Sequence, residues 1–274
     1  MLKTEMRNPK TMHIDKMDTL SMLKIVNEEN MNSVKAVEAE LRNIAKAVDA
    51  ISEGFQKGGR LFYVGAGTSG RIGVLDASEC PPTYGVPDDM VIGIIAGGDK
   101  CLRSASENAE DIAEKGVEDL EKYVINENDV VVGISVAGGA QYVLAALDYA
   151  KSKDATTVGL TSNEDSLLAK KCDIAICPDT GAEVITGSSR MKGGNAQKFV
   201  LNMLSTCAMV KNGYVYENLM INLKPSNIKL KNRMVGIVCD IISCEREAAE
   251  QLLNENEWNI RRAVENKRSK NESI

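Results

Sequence analysis

The sequence predicts an α/β fold: a five-stranded parallel sheet flanked by helices, with N-terminal helices before it and a small C-terminal helical subdomain after it. Three observations carry that expectation. From residue 60 onward, five short runs are almost continuously apolar, as strands buried on both faces must be. A helical stretch follows each of the first four, the alternation that builds a parallel sheet. Aromatic residues make up only 4% while Ala, Gly, Val, Ile and Met abound, which suits helices packed closely on such a sheet. A chain of 274 residues, 43% hydrophobic and 26% charged, can bury a full core.

Taken in order, the first element is helical. Val34, Val37, Leu41, Ile44, Val48, Ile51 and Phe55 alternate steps of three and four and so share one stripe. Ser33 is the expected N-cap, and Gly58-Gly59 the stop. The stripe suits either a cover for the sheet or a dimer seam. The expected strands are "RLFYVG" (60–65), "MVIGIIAG" (90–97), "DVVVGISV" (129–136), "ATTVGLTS" (155–162) and "CDIAICP" (172–178). Residues 190–211 are apolar most of the way round and read as a buried helix, despite Gly193-Gly194 in its first turn. Beyond Pro225 small helices alternate with Asn-rich turns. The expected division is 1–58 helical, packed on the core or a dimer partner; 59–223 the sheet domain; 224–274 the C-terminal helices.

The formal charge of −6 disfavours nucleic acid, which needs a basic face. Seven cysteines without C-x-x-C spacing, and a single histidine, His13, make a zinc site improbable and suit reduced thiols. No apolar run approaches a membrane span, and the N-terminus lacks a signal core. A cytoplasmic protein is expected.

Ligands of open parallel sheets bind beyond the carboxyl ends of the strands, so the chemistry belongs in the strand-to-helix loops. The first, Gly65-Ala-Gly-Thr-Ser-Gly70, fits G-x-G-x-x-G. It lacks the acid expected about 20 residues on in a dinucleotide site, because the next strand closes only at Asp99. Thr68 and Ser69 instead place two hydroxyls among the amides of a helix start, a cradle for a phosphate monoester. The second, "DASECPPTYG", sets Glu79 just before Cys80-Pro81-Pro82, where the chain is expected to leave its helix and hold the carboxyl near the strand ends. On this stretch alone a solvated helix-end glutamate is the favoured reading. The third is an expected helix from Leu102 to Leu120, with apolar positions Leu102, Ala105, Ala109, Ile112, Ala113 and Leu120. Glu107, Asp111 and Glu114 should face solvent, while Glu110 lies on the stripe's edge. The fourth, "TGSSRMKGG", leads two serines, an arginine and a lysine into the buried helix, again an anion's company. Two carboxyls near a phosphate loop suggest acid–base work on a sugar phosphate.

These segments together resemble the N-acetylmuramic acid 6-phosphate etherases of the sugar isomerase (SIS) group. The matching stretches are "TEMRNPKTMHID", "GAGTSGRIGVLDASECPPTYGV", "IAGGD", "NAED", "GAEVITGSSRMKGGNAQKFVLNMLST" and "NLMINLKPSNIKL", nearly the whole chain. The resemblance implies a flavodoxin-like SIS fold, a dimer, a role in amino-sugar catabolism and cell-wall recycling, and a lyase without metal or redox cofactor. It implies Glu79 as the acid that protonates departing D-lactate, a role that calls for burial of the carboxyl. It implies Glu110 as the base at C2. It implies a substrate site formed by Gly67, Thr68, Ser69, Gly70, Gly138, Glu183, Ser188, Ser189, Arg190 and Lys192.

One loop departs from the family. Where the family typically reads Ser-Gly-Arg-Thr-Pro, this chain has Ala137-Gly138-Gly139-Ala140-Gln141, without the two hydroxyls and the cation. Charge-assisted hydrogen bonds are worth about 1.5–3 kcal/mol each, so the loss bears on phosphate affinity. Asn195 also replaces the usual threonine. The rival reading is a sugar-phosphate-binding protein with little turnover, like the glucokinase regulatory protein, which carries related motifs.

Overall fold

The computed structural model describes residues 2–104, 106 and 108–272, the last five by backbone alone. Ala105 and Glu107, named above on the third expected helix, lie outside the described residues. The chain divides into two compact units: Met1–Ser78 with Asp89–Ala208, and Glu79–Asp88 with Met209–Ile274. This differs from a division at 58 and 223, because the N-terminal helices share the core of the sheet and the chain around Gly85 belongs with the C-terminal helices.

In the first unit, β1 (Leu61–Gly65), β2 (Val91–Ile95), β3 (Val130–Ile134), β4 (Thr156–Leu160) and β5 (Ile174–Ile176) form one parallel sheet in the order β2-β1-β3-β4-β5. All five expected strands are present. Gly65 at the end of β1 pairs with Ile95 on one side and Ile134 on the other. Because the chain steps from β1 outward to β2 and then back across to β3, the switch in strand order falls between β1 and β3. That is where ligands enter such sheets.

Alternation along the strands divides the core between two faces. Phe62 and Val64, fully buried, join Val131, Leu120, Tyr142, Val143 and Leu147 under α4 (Ala113–Glu121) and α5 (Gln141–Lys151). Tyr63 points the other way, its hydroxyl donating to Asp76 Oδ2 at 2.9 Å. Asp76 lies on α3 (Gly67–Tyr84), and its Oδ1 accepts from Asn202 on α7 (Lys192–Lys211) at 2.6 Å. A buried polar network thus ties β1, α3 and α7 together.

The N-terminal helix starts earlier than its stripe implies. Three 3-10 turns lead to α1 (Thr19–Ala39), which Asp18 caps by accepting from the Ser21 amide at 3.1 Å; α2 (Leu41–Gln56) follows a break at Glu40. Ser33 is therefore not a cap. It is buried inside α1 and its hydroxyl donates to the Lys192 carbonyl at 3.1 Å, an interior use of serine that polar residues around it disguise. Ile44, Val48, Ile51 and Phe55 are buried as expected, but Val34 and Leu41 are each 48% exposed.

Two expected helix boundaries fail for opposite reasons. Pro81 and Pro82 do not end α3, which runs through them to Tyr84; near a helix end, the carbonyls that lose their partners are few. The helix expected from Leu102 to Leu120 forms only from Ala113. The chain before it makes 3-10 turns at Asp99–Leu102 and Ala109–Asp111, with Asn108 left-handed at φ 63°.

The second unit carries a short hairpin, β6 (Val215–Tyr216) with β7 (Leu219–Met220), that the sequence reading missed. Its core is Ile221, Leu223, Met234, Val238, Leu253 and Ile260 beneath α8 (Ile228–Ile242), α9 (Arg246–Glu255) and α10 (Ile260–Glu272). No helix among the described residues is long and apolar enough to cross a membrane.

Candidate active site

The loops that leave the switch point are held at close quarters. A side chain on Gly70 would run into the Gly65 carbonyl oxygen, 2.6 Å from where its Cβ would stand. Only glycines at both positions let the first turn of α3 press on the end of β1. That contact presents Thr68, half-buried, and Ser69, buried, at the helix start, with Gly67 exposed beside them. Arg71 donates to the Leu102 carbonyl at 3.1 Å and so pins the loop after β2 to α3.

The start of α7 brings the other loops to the same place. At Gly194 a Cβ would stand 3.4 Å from Thr68 Cγ2 and 3.8 Å from the Ser189 carbonyl oxygen. At Gly193 it would stand 3.0 Å from the methyls of Val136, just past β3. The "GTSG" loop, the loop after β3 and the "TGSSR" loop therefore converge on Gly193-Gly194. Ser188 and Ser189 are half-buried there and Arg190 is exposed.

The loop after β3 is firmly built but poor in donors. Ser135 Oγ accepts from the Gly138 amide at 3.1 Å, and the Gly138 carbonyl accepts from Leu168 at 3.1 Å. Gly138 has φ 74°, and a Cβ on it would strike Ser166 Oγ at 2.4 Å. Ala140 stands at the N-cap of α5 with no side-chain hydrogen bond, so the amide end of α5 is uncapped.

Residues 104–207 match the SIS domain family, and residues 43–151 match the glucokinase regulatory protein N-terminal SIS domain. The chain is 52% identical to the N-acetylmuramic acid 6-phosphate etherase of Actinobacillus pleuropneumoniae serotype 5b (strain L20), over 95% of this chain and 86% of that protein. It is 51% identical to that of Clostridium beijerinckii, over 96% of this chain and 86% of that protein. The chain belongs to the N-acetylmuramic acid 6-phosphate etherase family. Solved structures support the fold alone. A putative phosphosugar isomerase from Bacteroides fragilis matches with a TM-score of 0.55 at 22% identity, over 72% of this chain and 94% of that one. A phosphoheptose isomerase from Francisella tularensis matches with a TM-score of 0.53 at 17% identity, over 70% and 98%.

The residues that the family resemblance brought forward fall into two groups. Gly67, Thr68, Ser69, Gly70, Gly138, Ser188, Ser189 and Arg190 stand on the converging loops. Glu183 and Lys192 do not face an anion. The Glu183 carboxylate, 1% exposed, accepts from the Lys192 amide at 3.1 Å and the Gly193 amide at 2.9 Å. It caps α7 and occupies the very donors a phosphate would need. The Lys192 ammonium, on a side chain only 2% exposed, pairs with Glu29 Oε2 at 2.5 Å. Asn8 Nδ2 donates to the same carboxylate at 2.8 Å. Burial, the largest single influence on Glu29, pushes its carboxyl up, but the bonds from Lys192 and Asn8 outweigh it and hold it below the ordinary range.

The two glutamates expected to do the chemistry are each exposed. Glu79 belongs to the second unit, on α3 one turn before its end; Glu110 belongs to the first, on the 3-10 turn Ala109–Asp111. Ala109 lies 3.6 Å from where a Cβ on Gly97 would stand, so this turn is seated at the carboxyl end of β2. The burial that an acid role asks of Glu79 is not supplied by this chain alone.

Sequence reasoning passed over three polar groups: Glu29, Asp76 and Gln197. All are buried, and Ser69 Oγ donates to Gln197 Oε1 at 3.0 Å. The available signal was a glutamine in a helix otherwise apolar all round. A separate cavity of about 530 Å³ lies past β4 and β5, lined by Lys3, Asn163, Glu164, Asp165, Cys177 and Asp179. Three carboxylates suit it poorly to a phosphate dianion.

Proposed function

We propose that this etherase removes D-lactate from the C3 ether of N-acetylmuramic acid 6-phosphate, giving N-acetylglucosamine 6-phosphate. The observation that carries this reading is 52% identity to a named etherase over 95% of the chain. The phosphate sits on Thr68 and Ser69, with Ser188, Ser189 and Arg190 from the facing loop; the Gly70 amide already donates to the Ala66 carbonyl at 3.2 Å, so Gly70 shapes the loop. Glu183 and Lys192 serve from behind by fixing the start of α7.

Ring opening exposes a C1 aldehyde, which acidifies the C2 proton. Glu110 takes that proton as the C3–oxygen bond breaks, and Glu79 gives a proton to the departing lactate oxygen. The resulting C2–C3 double bond adds water: Glu79 draws a proton from the water that attacks C3, and Glu110, an exposed carboxyl whose proton has exchanged with solvent, protonates C2. Atoms balance as one water consumed and one lactate released. Because both carboxylates are exposed in a single chain, closure around them falls to the substrate and to a second subunit.

That subunit is a second copy of this chain. Leu20, Leu23, Met31 and Val34 are 48–60% exposed and share one face of α1. An apolar groove of about 630 Å³ continues from it, lined by Val34, Val37, Leu41, Phe199, Met203 and Cys207. A reducing cytoplasm suits a chain whose cysteines form no disulfide among the described residues.

Incubation with N-acetylmuramic acid 6-phosphate, with D-lactate measured, tests the reading. Lactate is expected in equal amount to the amino-sugar phosphate formed. Thermal stabilisation by the same compound without lactate would instead make the protein a sugar-phosphate binder, the reading that the donor-poor loop Ala137–Gln141 favours.

A further inference from the structure

Gln197 presents two anomalies at one place. Its side chain is 2% exposed, one turn beyond Gly193-Gly194, and its Nε2 is buried with no hydrogen-bond partner. Orphaned buried N–H groups are rare in folded proteins, rarer than under-used carbonyls. Its Oε1, meanwhile, takes the proton of the Ser69 hydroxyl. A hydroxyl in a phosphate loop is useful only if it donates to the anion, and here the Ser69 hydroxyl donates to Gln197 instead.

One rotation resolves both. Turning the amide over brings Nε2 to the Ser69 oxygen, where it donates, and frees the Ser69 proton to point into the loop. We propose that Gln197 is the positioning residue of the phosphate loop: with ligand bound, its amide donates to Ser69 Oγ and so aims the Ser69 hydroxyl at the phosphate. No proton changes owner in this step; only the amide and the hydroxyl turn. The carbonyl takes over the place of the orphaned N–H, which is the better tolerated of the two vacancies. Residues 137–140 of the loop after β3 offer no side-chain donor in exchange, and the Gln141 amide is turned onto the Gly139 carbonyl at 3.2 Å, so the Ser69 proton matters more here than in a chain with hydroxyls at 137 and 140.

The inference rests on the reading of residues 67–70 as the phosphate site, and the experiment separates the two. Gln197→Met keeps the side chain's size, removes the orphaned donor and cannot orient Ser69. Gln197→Glu can only accept from Ser69 once ionised, and it sets a negative charge beside the anion. Steady-state kinetics with N-acetylmuramic acid 6-phosphate and calorimetric titration with inorganic phosphate are measured on the full-length protein and both variants. The methionine variant should melt no lower than wild type yet show a KM and a phosphate Kd about tenfold higher, with kcat within about threefold. In the glutamate variant both constants should rise about 100-fold at pH 8, and the deficit should shrink as pH falls and the carboxyl regains a proton. Ser69→Ala should abolish most of the difference between the Gln197 variants and wild type. Phosphate constants unchanged in both variants would overturn the inference while leaving the etherase reading intact. Phosphate binding that depends on Gln197 in a protein that releases no lactate would uphold the inference and end that reading. A wild-type protein that binds no phosphate would end both.

Discussion

Glu183 stands ten residues before Gly193, and its carboxylate closes the amide end of α7, with Oε1 2.9 Å from the Gly193 nitrogen and Oε2 3.1 Å from that of Lys192. A helix start that looks built for an anion in sequence thus already holds one of the protein's own. Replacing Glu183 with alanine leaves two buried amides unpaired, at a cost of about 2–4 kcal/mol. Urea unfolding of Glu183→Ala checks this, and Glu183→Gln, which keeps one acceptor, should lose about half as much.

Lys192 and Glu29 form a buried pair whose halves cannot be removed singly. Glu29→Ala strands the ammonium and should cost about 3–5 kcal/mol in chemical unfolding. The pH dependence follows from the direction of the Glu29 shift. A carboxyl held below its unfolded value of about 4.3 adds stability that is fully present above that pH and fades as pH falls through the folded value. Wild type should therefore lose stability below about pH 4.3 more steeply than Glu29→Gln does.

The donor-poor loop should accept the family's residues. Gly139 faces open space, with nothing within 4 Å of where a Cβ would stand, so an arginine side chain fits. Ala140 occupies the N-cap of α5 with φ −60° and ψ 114°, where threonine caps, and residue 141 opens the helix, where proline is favoured. The combined variant Ala137→Ser/Gly139→Arg/Ala140→Thr/Gln141→Pro should gain about 1 kcal/mol from the new cap. It should also lower KM for the sugar phosphate about tenfold, read by the same lactate assay.

Much of this fold was legible because a strand buried on both faces has only one way to be written. The five apolar runs and the buried helix after Met191 follow from burial, and the Gly58 stop from a left-handed backbone at φ 80° that glycine takes freely. The boundaries that misled were those set by contacts distant in sequence. Ser33 looks like a cap until its hydroxyl is found on Lys192, and Lys192 looks like a phosphate ligand until Glu29, 163 residues away, takes its charge. Glu110 shows the same limit, since a helical stripe drawn through Ala109 and Ile112 cannot reveal the left-handed turn at Asn108. The motif residues of the "GTSG" and "TGSSR" loops were readable; the partners that hold them, Glu183 and Gln197, were not.

Cys207 and Cys177 test the proposed pairing of two chains. Cys207 is exposed on the apolar groove, whereas burial pushes the Cys177 thiol up to about 12. At pH 7.5 a bulky maleimide should label Cys207 and leave Cys177 untouched. Labelling Cys207 should convert the proposed dimer to monomer in size-exclusion chromatography with light scattering.

The most direct test is the reaction run in deuterium oxide enriched in oxygen-18. D-Lactate should be released without the heavy isotope, and the amino-sugar phosphate should carry deuterium at C2 and oxygen-18 at C3. Glu79→Gln and Glu110→Gln should each slow release by about 100-fold or more while changing stability by no more than about 0.5 kcal/mol. Oxygen-18 in the lactate, a C2 position without deuterium, or full activity in either glutamine variant would contradict elimination by this pair of glutamates.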